Sequence, residues 1–345
     1  MGYTGPQSAV TPLIEGLRRL EYRGYDSAGI ALGTSNKLFV EKKAGKLANL
    51  EGALSAVPEV HSGIGHTRWA THGGPTDRNA HPHLDNEGKL AVIHNGIIEN
   101  YSELKAELET HGHKFESETD TESVAHLLSD LRKEHGGDLT IAMREAVKQL
   151  RGSFTLLAVH ADKPDLIVGV RRNSPLVVGL GDGENFMASD VAAFIEYTKR
   201  AVELGQDEIV TITPTSISIS DLAGNELKPR EYAITWDAQA AQKGGFAHFM
   251  LKEIFEQPKA VADTLIGRLL DGRISLDELK LSDSELKNLQ KIVVLACGTA
   301  YHAGLIAKYA IEKWAQIPVE VELASEFRYR DPIVDENTLV IAISQ

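Results

Sequence analysis

The sequence predicts two units in series. The first is a mixed α and β region built on two packed sheets, and the second is the start of an open parallel-sheet α/β domain. Three observations carry this reading. Short β-branched strands alternate with helical stretches as far as Ile212. Residues 221–245 turn polar and lose periodicity, as a connector would. From Lys291 onward, strand, glycine turn, helix and strand follow in βαβ order.

Thr11 to Leu20 has apolar positions at helical spacing, with Pro12 acceptable in a first turn. Gly29 to Leu32 and Lys37 to Val40 read as strands around a turn at Gly33 to Asn36. Gly63 to His66 and Leu90 to His94 are further strands. Tyr101 to Gly112 and Thr121 to His135 read as helices closed by glycine. Phe154 to His160, Leu166 to Val170, Leu176 to Leu180 and Glu208 to Ile212 complete the sheets. Phe249 to Leu270 looks helical, with Pro258 as an interruption or a new helix start. Lys291 to Cys297 is a continuous apolar strand, as expected where both faces are covered. Helix Tyr301 to Trp314 and strands Pro318 to Leu323 and Thr338 to Ile343 follow it.

Lysine and arginine number 36 against 49 acidic residues, a formal charge of −13. Such a balance argues against general nucleic-acid binding, which needs a basic footprint. It leaves anionic small molecules open, because a pocket can be locally positive. No apolar run reaches the roughly 20 residues that span a bilayer, so no membrane partner is expected. The single cysteine, Cys297, excludes a disulfide framework and suits a reducing cytoplasm. At the end of an apolar strand it is expected to be buried and inert.

Four segments stand out: Tyr22-Arg-Gly-Tyr-Asp-Ser-Ala-Gly29, His66-Thr-Arg-Trp-Ala-Thr-His-Gly73, His94-Asn-Gly-Ile-Ile-Glu-Asn100 and Ser117-Glu-Thr-Asp-Thr-Glu122. In this order they resemble class II glutamine amidotransferase domains, whose fold is an α+β N-terminal-nucleophile hydrolase sandwich with αββα layers. Leu295-Ala-Cys-Gly-Thr-Ala-Tyr-His-Ala-Gly304, followed by Ala324-Ser-Glu-Phe-Arg-Tyr-Arg330, resembles the sugar-isomerase (SIS) domain of glutamine–fructose-6-phosphate aminotransferases. His248 to Pro258 is similar to the interdomain hinge of that family. The resemblance implies a glutaminase domain over residues 1–235, a linker at 236–260, and a partial α/β parallel-sheet SIS domain at 261–345.

A glutaminase must hold a free amino acid by both ends. Arg68 suits the α-carboxylate, since its planar fork binds two oxygens at once. Asp120 can accept from the α-ammonium. The Asn95 side-chain amide and the Gly96 N–H can donate to a tetrahedral oxyanion. The resemblance assigns these roles to these residues. It adds Thr71 and His72 at the glutamine pocket, Trp69 as gate of an ammonia tunnel, and Thr299, Ser344 and Gln345 as sugar-phosphate contacts. Gly298 to Ala300 precede a helix, whose N-terminal N–H groups suit an anion. Many family members carry serine where this chain has Ala300.

Plainer readings compete. Arg68 suits a surface salt bridge. Asp120 precedes a helix, and Thr119 with Glu122 fits a capping box. Asn95-Gly96 is the strongest hairpin-turn dipeptide, and Trp69 fits a core. Gly298 to Ala300 also fits an ordinary βα turn. His66, His72, His81, His83 and His94 invite a metal reading, but none pairs at i, i+4 with a third ligand, and His81-Pro-His83 reads as a polar loop; no metal is expected.

The resemblance implies conversion of fructose 6-phosphate and glutamine to glucosamine 6-phosphate and glutamate, without metal or organic cofactor, in a homodimer. One departure matters. The family begins Met-Cys-Gly-Ile-Val-Gly-Tyr, and the cysteine is its nucleophile. Here Met1 falls where the family has valine, which suggests a start set too far downstream, at a GTG codon. The hypothesis fails if upstream DNA encodes no in-frame Cys-Gly-Ile. The sequence stops after a strand at Ser344-Gln345, so the C-terminus too is expected to be cut. As it stands the chain is expected to be inactive as a glutaminase. The rival readings are another class II amidotransferase, which Cys297 to Gly304 and Glu326 to Arg330 oppose, and a non-catalytic glutamine or sugar-phosphate binder.

Overall fold

In a computed structural model the chain divides into two units, Met1–Gly245 and Phe246–Gln345. The structure describes residues 1–21, 24–34, 36–55, 57–69, 73–235, 246, 248–265, 269–270, 273–274 and 281–344. Thr71, His72 and Gln345 therefore lie outside the described residues.

The first unit runs β1 (Gly2–Thr4), α1 (Val10–Leu20), β2 (Ser27–Thr34), β3 (Lys37–Ala44), α2 (Leu47–Ala53), β4 (Ser62–Arg68), β5 (His83–Leu84) and β6 (Leu90–Ile98). It continues through α3 (Tyr101–Thr110), α4 (Thr121–Glu134), α5 (Leu139–Gln149), β7 (Gly152–His160), β8 (Lys163–Arg172), β9 (Val177–Leu180) and β10 (Asn185–Ala188). Strands β11 (Arg200–Glu203), β12 (Ile209–Ile212), β13 (Ile217–Ser220), β14 (Glu226–Leu227) and β15 (Arg230–Ala233) complete it. One antiparallel sheet has the order β15-β11-β9-β10-β1-β4-β2-β3, the other β14-β13-β12-β8-β7-β6-β5.

Side chains alternate between the faces of a strand, and here each face meets its own core. Along β6, Leu90 and Val92 join the core under α3, α4 and α5, while Ala91 and Ile93 join the core between the sheets. Along β2, Ile30 and Leu32 join the core under α1 and α2, while Ala31 faces inward. Three cores thus separate four layers, helices, sheet, sheet and helices, as the resemblance implied. The stretch expected to be a connector from Asp221 instead supplies two edge strands: β14 pairs with β13 and β15 with β11. Edge strands bury one side at most, so their sequence stays polar and unpatterned.

The second unit runs α6 (Phe249–Leu265), β16 (Leu269–Leu270), β17 (Arg273–Ile274), α7 (Asp283–Lys287), β18 (Lys291–Ala296), α8 (Gly298–Ala315), β19 (Val319–Leu323), α9 (Ala324–Tyr329) and β20 (Thr338–Ile343). Pro258 lies inside α6 rather than at an end. Strands β19, β18 and β20 form a parallel sheet in that order. Helix α8 packs on it, and Gly304 leaves room: a Cβ there would stand 3.0 Å from Val294 and Val321. Cys297 is exposed, not buried as expected. It follows the last residue of β18 and caps α8, so its side chain has left the apolar sheet.

Candidate functional site

The site follows from the same alternation. Ile64 of β4 and Ile93 of β6 face each other's sheet in the inter-sheet core. Two positions on along each strand come His66 and Asn95, and a further two along β4 comes Arg68. Near this end the dry core gives way to polar side chains that keep its inward direction. They open into a cavity of about 430 Å³ lined by His66, Arg68, Trp69, Asn95, Gly96 and Asp120, among others. The cavity also receives Ser174 and Pro175 from the β8–β9 turn and Ser189 beyond β10. These three come from distant turns, and no sequence motif marks them. Met1 lines it too; its amino group donates to the Gly65 carbonyl at 2.7 Å.

Arg68 is only 3% exposed, which removes the surface salt-bridge reading. Its Nη2 donates to the Gly73 carbonyl at 3.1 Å and its Nη1 to the Gly74 carbonyl at 3.4 Å. Burial lowers its pKa, while Asp120 and Asp26 act in the opposite sense. A guanidinium fixed in plane beside a carboxylate suits a zwitterion better than a simple anion.

Asn95 and Gly96 do not form a hairpin turn. They lie within β6, opposite Thr155 and Phe154 of β7. Gly96 has φ +129, and a Cβ there would collide with the Ser153 carbonyl oxygen. Only glycine accepts both constraints. The result is an irregular strand residue whose backbone is exposed at the cavity.

Asp120 precedes α4, but its side chain makes no cap bond. Its Oδ2 instead accepts the Ile98 N–H at 2.8 Å. The expected capping box between Thr119 and Glu122 is also absent. Glu122 accepts from the Glu116 N–H at 2.7 Å, the Ser117 N–H at 2.6 Å and the Ser117 hydroxyl at 2.6 Å. Thr119 turns to His83 Nε2 at 2.9 Å. Burial pushes the Glu122 carboxyl upward, yet His126 and these hydrogen bonds outweigh it and hold the group at about 2.

His81 and His83, expected in a polar loop, are both buried. They pack with His66 and His94 as a histidine cluster: the rings of His66 and His81 are 4.5 Å apart. Thr121 ties His94 Nδ1 at 3.0 Å and His81 Nε2 at 3.2 Å. Burial lowers His66 and His83 to about 3, with neighbouring charges adding to it, and His81 well below its ordinary range. His66, His81 and His83 are therefore uncharged polar packing, and His66, His81 and His94 line the cavity. Among the described residues no group of three such side chains has metal-holding geometry.

Trp69 is 58% exposed, not core, and its ring meets Tyr25 edge-on at 5.4 Å. In the second unit Thr299 lies in the first turn of α8 and Ser344 directly follows β20. Ala296 and Ile343 are paired across the sheet, so both residues sit at its carboxyl end. That is where ligands bind in open parallel sheets.

Residues 66–196 match the profile of a glutamine amidotransferase domain, and residues 285–345 that of a SIS domain. The chain is 60% identical to the glutamine–fructose-6-phosphate aminotransferase (isomerizing) of Streptomyces coelicolor, across all of this chain and 56% of that protein. It is 58% identical to the enzyme of that name from Corynebacterium efficiens, across all of this chain and 56% of that protein, and 56% identical to that of Mycobacterium tuberculosis, across all of this chain and 57% of that protein. The chain thus spans about half the length of the curated relatives it matches. Among solved structures, glutamine phosphoribosylpyrophosphate amidotransferase from B. subtilis superposes with a TM-score of 0.57 at 20% identity. That match covers 97% of this chain and 68% of the other. An allosteric regulatory enzyme of purine biosynthesis gives 0.58 at 21%, covering 93% of this chain and 64% of the other. These two speak for the N-terminal-nucleophile sandwich alone. With identity running the whole length of the chain, and a glutamine amidotransferase domain followed by a SIS domain, the chain is similar throughout to glutamine–fructose-6-phosphate aminotransferases.

Proposed function

We propose that the first unit is the glutamine site of an enzyme that makes glucosamine 6-phosphate and glutamate from fructose 6-phosphate and glutamine. The observation that carries this is the convergence of Arg68, Asn95, Gly96 and Asp120 on one cavity. Arg68 would pair with the α-carboxylate and Asp120 with the α-ammonium, so a zwitterion is held by complementary charges. The γ-carboxamide then reaches toward Asn95 and Gly96. Their N–H groups would stabilise the oxyanion formed when a nucleophile adds to the amide. Thr71 and His72 would complete the pocket and Trp69 would gate the passage of ammonia. In the second unit Thr299, Ser344 and Gln345 would hold the sugar phosphate, the helix N-terminus adding N–H donors. The complete enzyme would be a cytoplasmic homodimer.

One observation favours a narrower reading for the 345 residues themselves. Their only thiol, Cys297, belongs to the second unit. The polypeptide would therefore bind glutamine without hydrolysing it.

Calorimetric titration with L-glutamine, beside an assay for released glutamate, tests both statements. Saturable binding without glutamate release is expected, with binding weakened about tenfold or more by Arg68→Lys, since lysine lacks the two-pronged fork. Absence of binding, or equal binding of glutamine and its D-enantiomer, would refute the site.

A further inference from the structure

His66 Nε2 stands 2.6 Å from Asn95 Oδ1. The bond runs from β4 of one sheet to β6 of the other, across the inter-sheet face. An amide oxygen only accepts, so this contact needs His66 to carry its proton on Nε2. The opposite arrangement would turn the Asn95 amide over, with its nitrogen donating to His66 and its oxygen aimed into the cavity. The two arrangements differ sharply at the cavity, because one presents N–H donors and the other an acceptor.

The other ring nitrogen decides between them. His66 is 7% exposed, and its Nδ1 has no hydrogen-bond partner among the described residues. With the proton on Nε2, Nδ1 is an unpaired acceptor. With the proton on Nδ1, a buried N–H donor is orphaned, the rarer fault in folded proteins. A doubly protonated ring would orphan the same donor and bury a charge beside Arg68. Sheet-to-sheet packing fixes the ring against His81, so it cannot turn away cheaply. We infer that His66 is a positioning residue: its Nε2–H holds the Asn95 carbonyl and thereby aims the Asn95 N–H donors at the reacting amide of the substrate. The inference rests on the glutamine reading above for the identity of that substrate, but the tautomer does not depend on it.

Two measurements on the 345-residue chain test this. Long-range proton–nitrogen spectra of histidine-labelled protein at neutral pH report the tautomer of each ring, with His66 assigned by its loss in His66→Gln. A neutral ring protonated on Nε2 is expected. A neutral ring protonated on Nδ1, with Nε2 bare, overturns the inference. The second measurement compares the affinity for L-glutamine with that for the phosphonate in which a tetrahedral anionic phosphorus replaces the carboxamide carbon. His66→Leu should weaken the phosphonate about tenfold while glutamine shifts much less. His66→Gln, which keeps an N–H donor, should restore it. Equal weakening of both ligands, or no rescue, means that His66 merely packs. If the unmutated chain binds neither compound, the glutamine reading fails, and the tautomer spectrum alone decides whether Asn95 is aimed.

Discussion

The Asp120 carboxylate accepts the backbone N–H of Ile98 at 2.8 Å, tying the residue that precedes one helix to the strand that carries Asn95 and Gly96. One side chain thus sets the distance between the two ends of the proposed glutamine site. Asp120→Asn keeps an acceptor for Ile98 but loses the charge offered to the α-ammonium. It should leave stability within about 1 kcal/mol and weaken glutamine binding about tenfold or more. Asp120→Ala also orphans the Ile98 N–H and should cost a further 1–3 kcal/mol, roughly, in chemical denaturation. Equal stability of the two variants would mean that the Ile98 bond contributes nothing.

The difference between sequence expectation and structure at Asp120 has a physical cause. A capping box is a local pattern, and Thr119 with Glu122 satisfies it by spacing. In the fold Glu122 finds three donors further back, at Glu116 and Ser117, and Asp120 finds one across space at Ile98. Long-range bonds of this kind leave no trace in spacing. The same holds for Asn95-Gly96, where β7 captures a dipeptide that alone would turn. Strands β2, β3, β4, β6, β7, β8, β9 and β12 are legible because apolar and β-branched residues concentrate in them. Strands β1, β5, β10, β11 and β13, at two to four residues each, are too short to show a pattern and are missing from the sequence expectations. Helix α5 is missing from the sequence expectations, although Asp138 offers a cap signal and in fact accepts from the Thr140 and Ile141 N–H groups. Ser174, Pro175 and Ser189 reach the cavity only through tertiary folding.

Gly96 joins a positive φ to a close approach, and the two effects can be separated. Gly96→Ala should lower stability by more than about 3 kcal/mol, combining backbone strain with collision against β7. Gly88 also has a positive φ, at +67, but a Cβ added there would meet nothing within 4 Å. Gly88→Ala should therefore cost only the backbone part, about 1–2 kcal/mol. Urea midpoints of the two variants give the comparison. Equal losses would show that the β7 contact relaxes freely.

Glu122 organises the loop from Glu116 to Ser117 and is almost fully buried. Its folded pKa of about 2 lies below the ordinary 4.5, so its charged form is favoured by folding. The stability it contributes is complete above about pH 4.5 and is lost as pH falls toward 2. Glu122→Gln should cost roughly 2–3 kcal/mol at neutral pH, because charge-assisted bonds become neutral ones. It should also flatten the acid limb of the stability curve. Unchanged acid sensitivity in the variant would assign that limb to other carboxylates.

The buried histidines act at a higher pH. His66 and His83 have folded values of about 3, and His81 is also lowered, against an ordinary 6.5. Below pH 6.5 the unfolded chain therefore takes up protons that the folded chain refuses. Stability is full above 6.5 and declines as pH falls, before most carboxylates begin to protonate. Each such ring adds a slope of up to about 1.4 kcal/mol per pH unit. Thermal or urea unfolding between pH 6.5 and 4.5 should show this decline, and His83→Gln should reduce the slope by about one proton's worth. His83 is the right ring to replace, since its hydrogen bond to the Thr119 hydroxyl can be kept by glutamine. A flat profile in the unmutated chain would mean that the rings take up protons while folded, and the cavity lining would then carry positive charge that the packing of four adjacent imidazoles argues against.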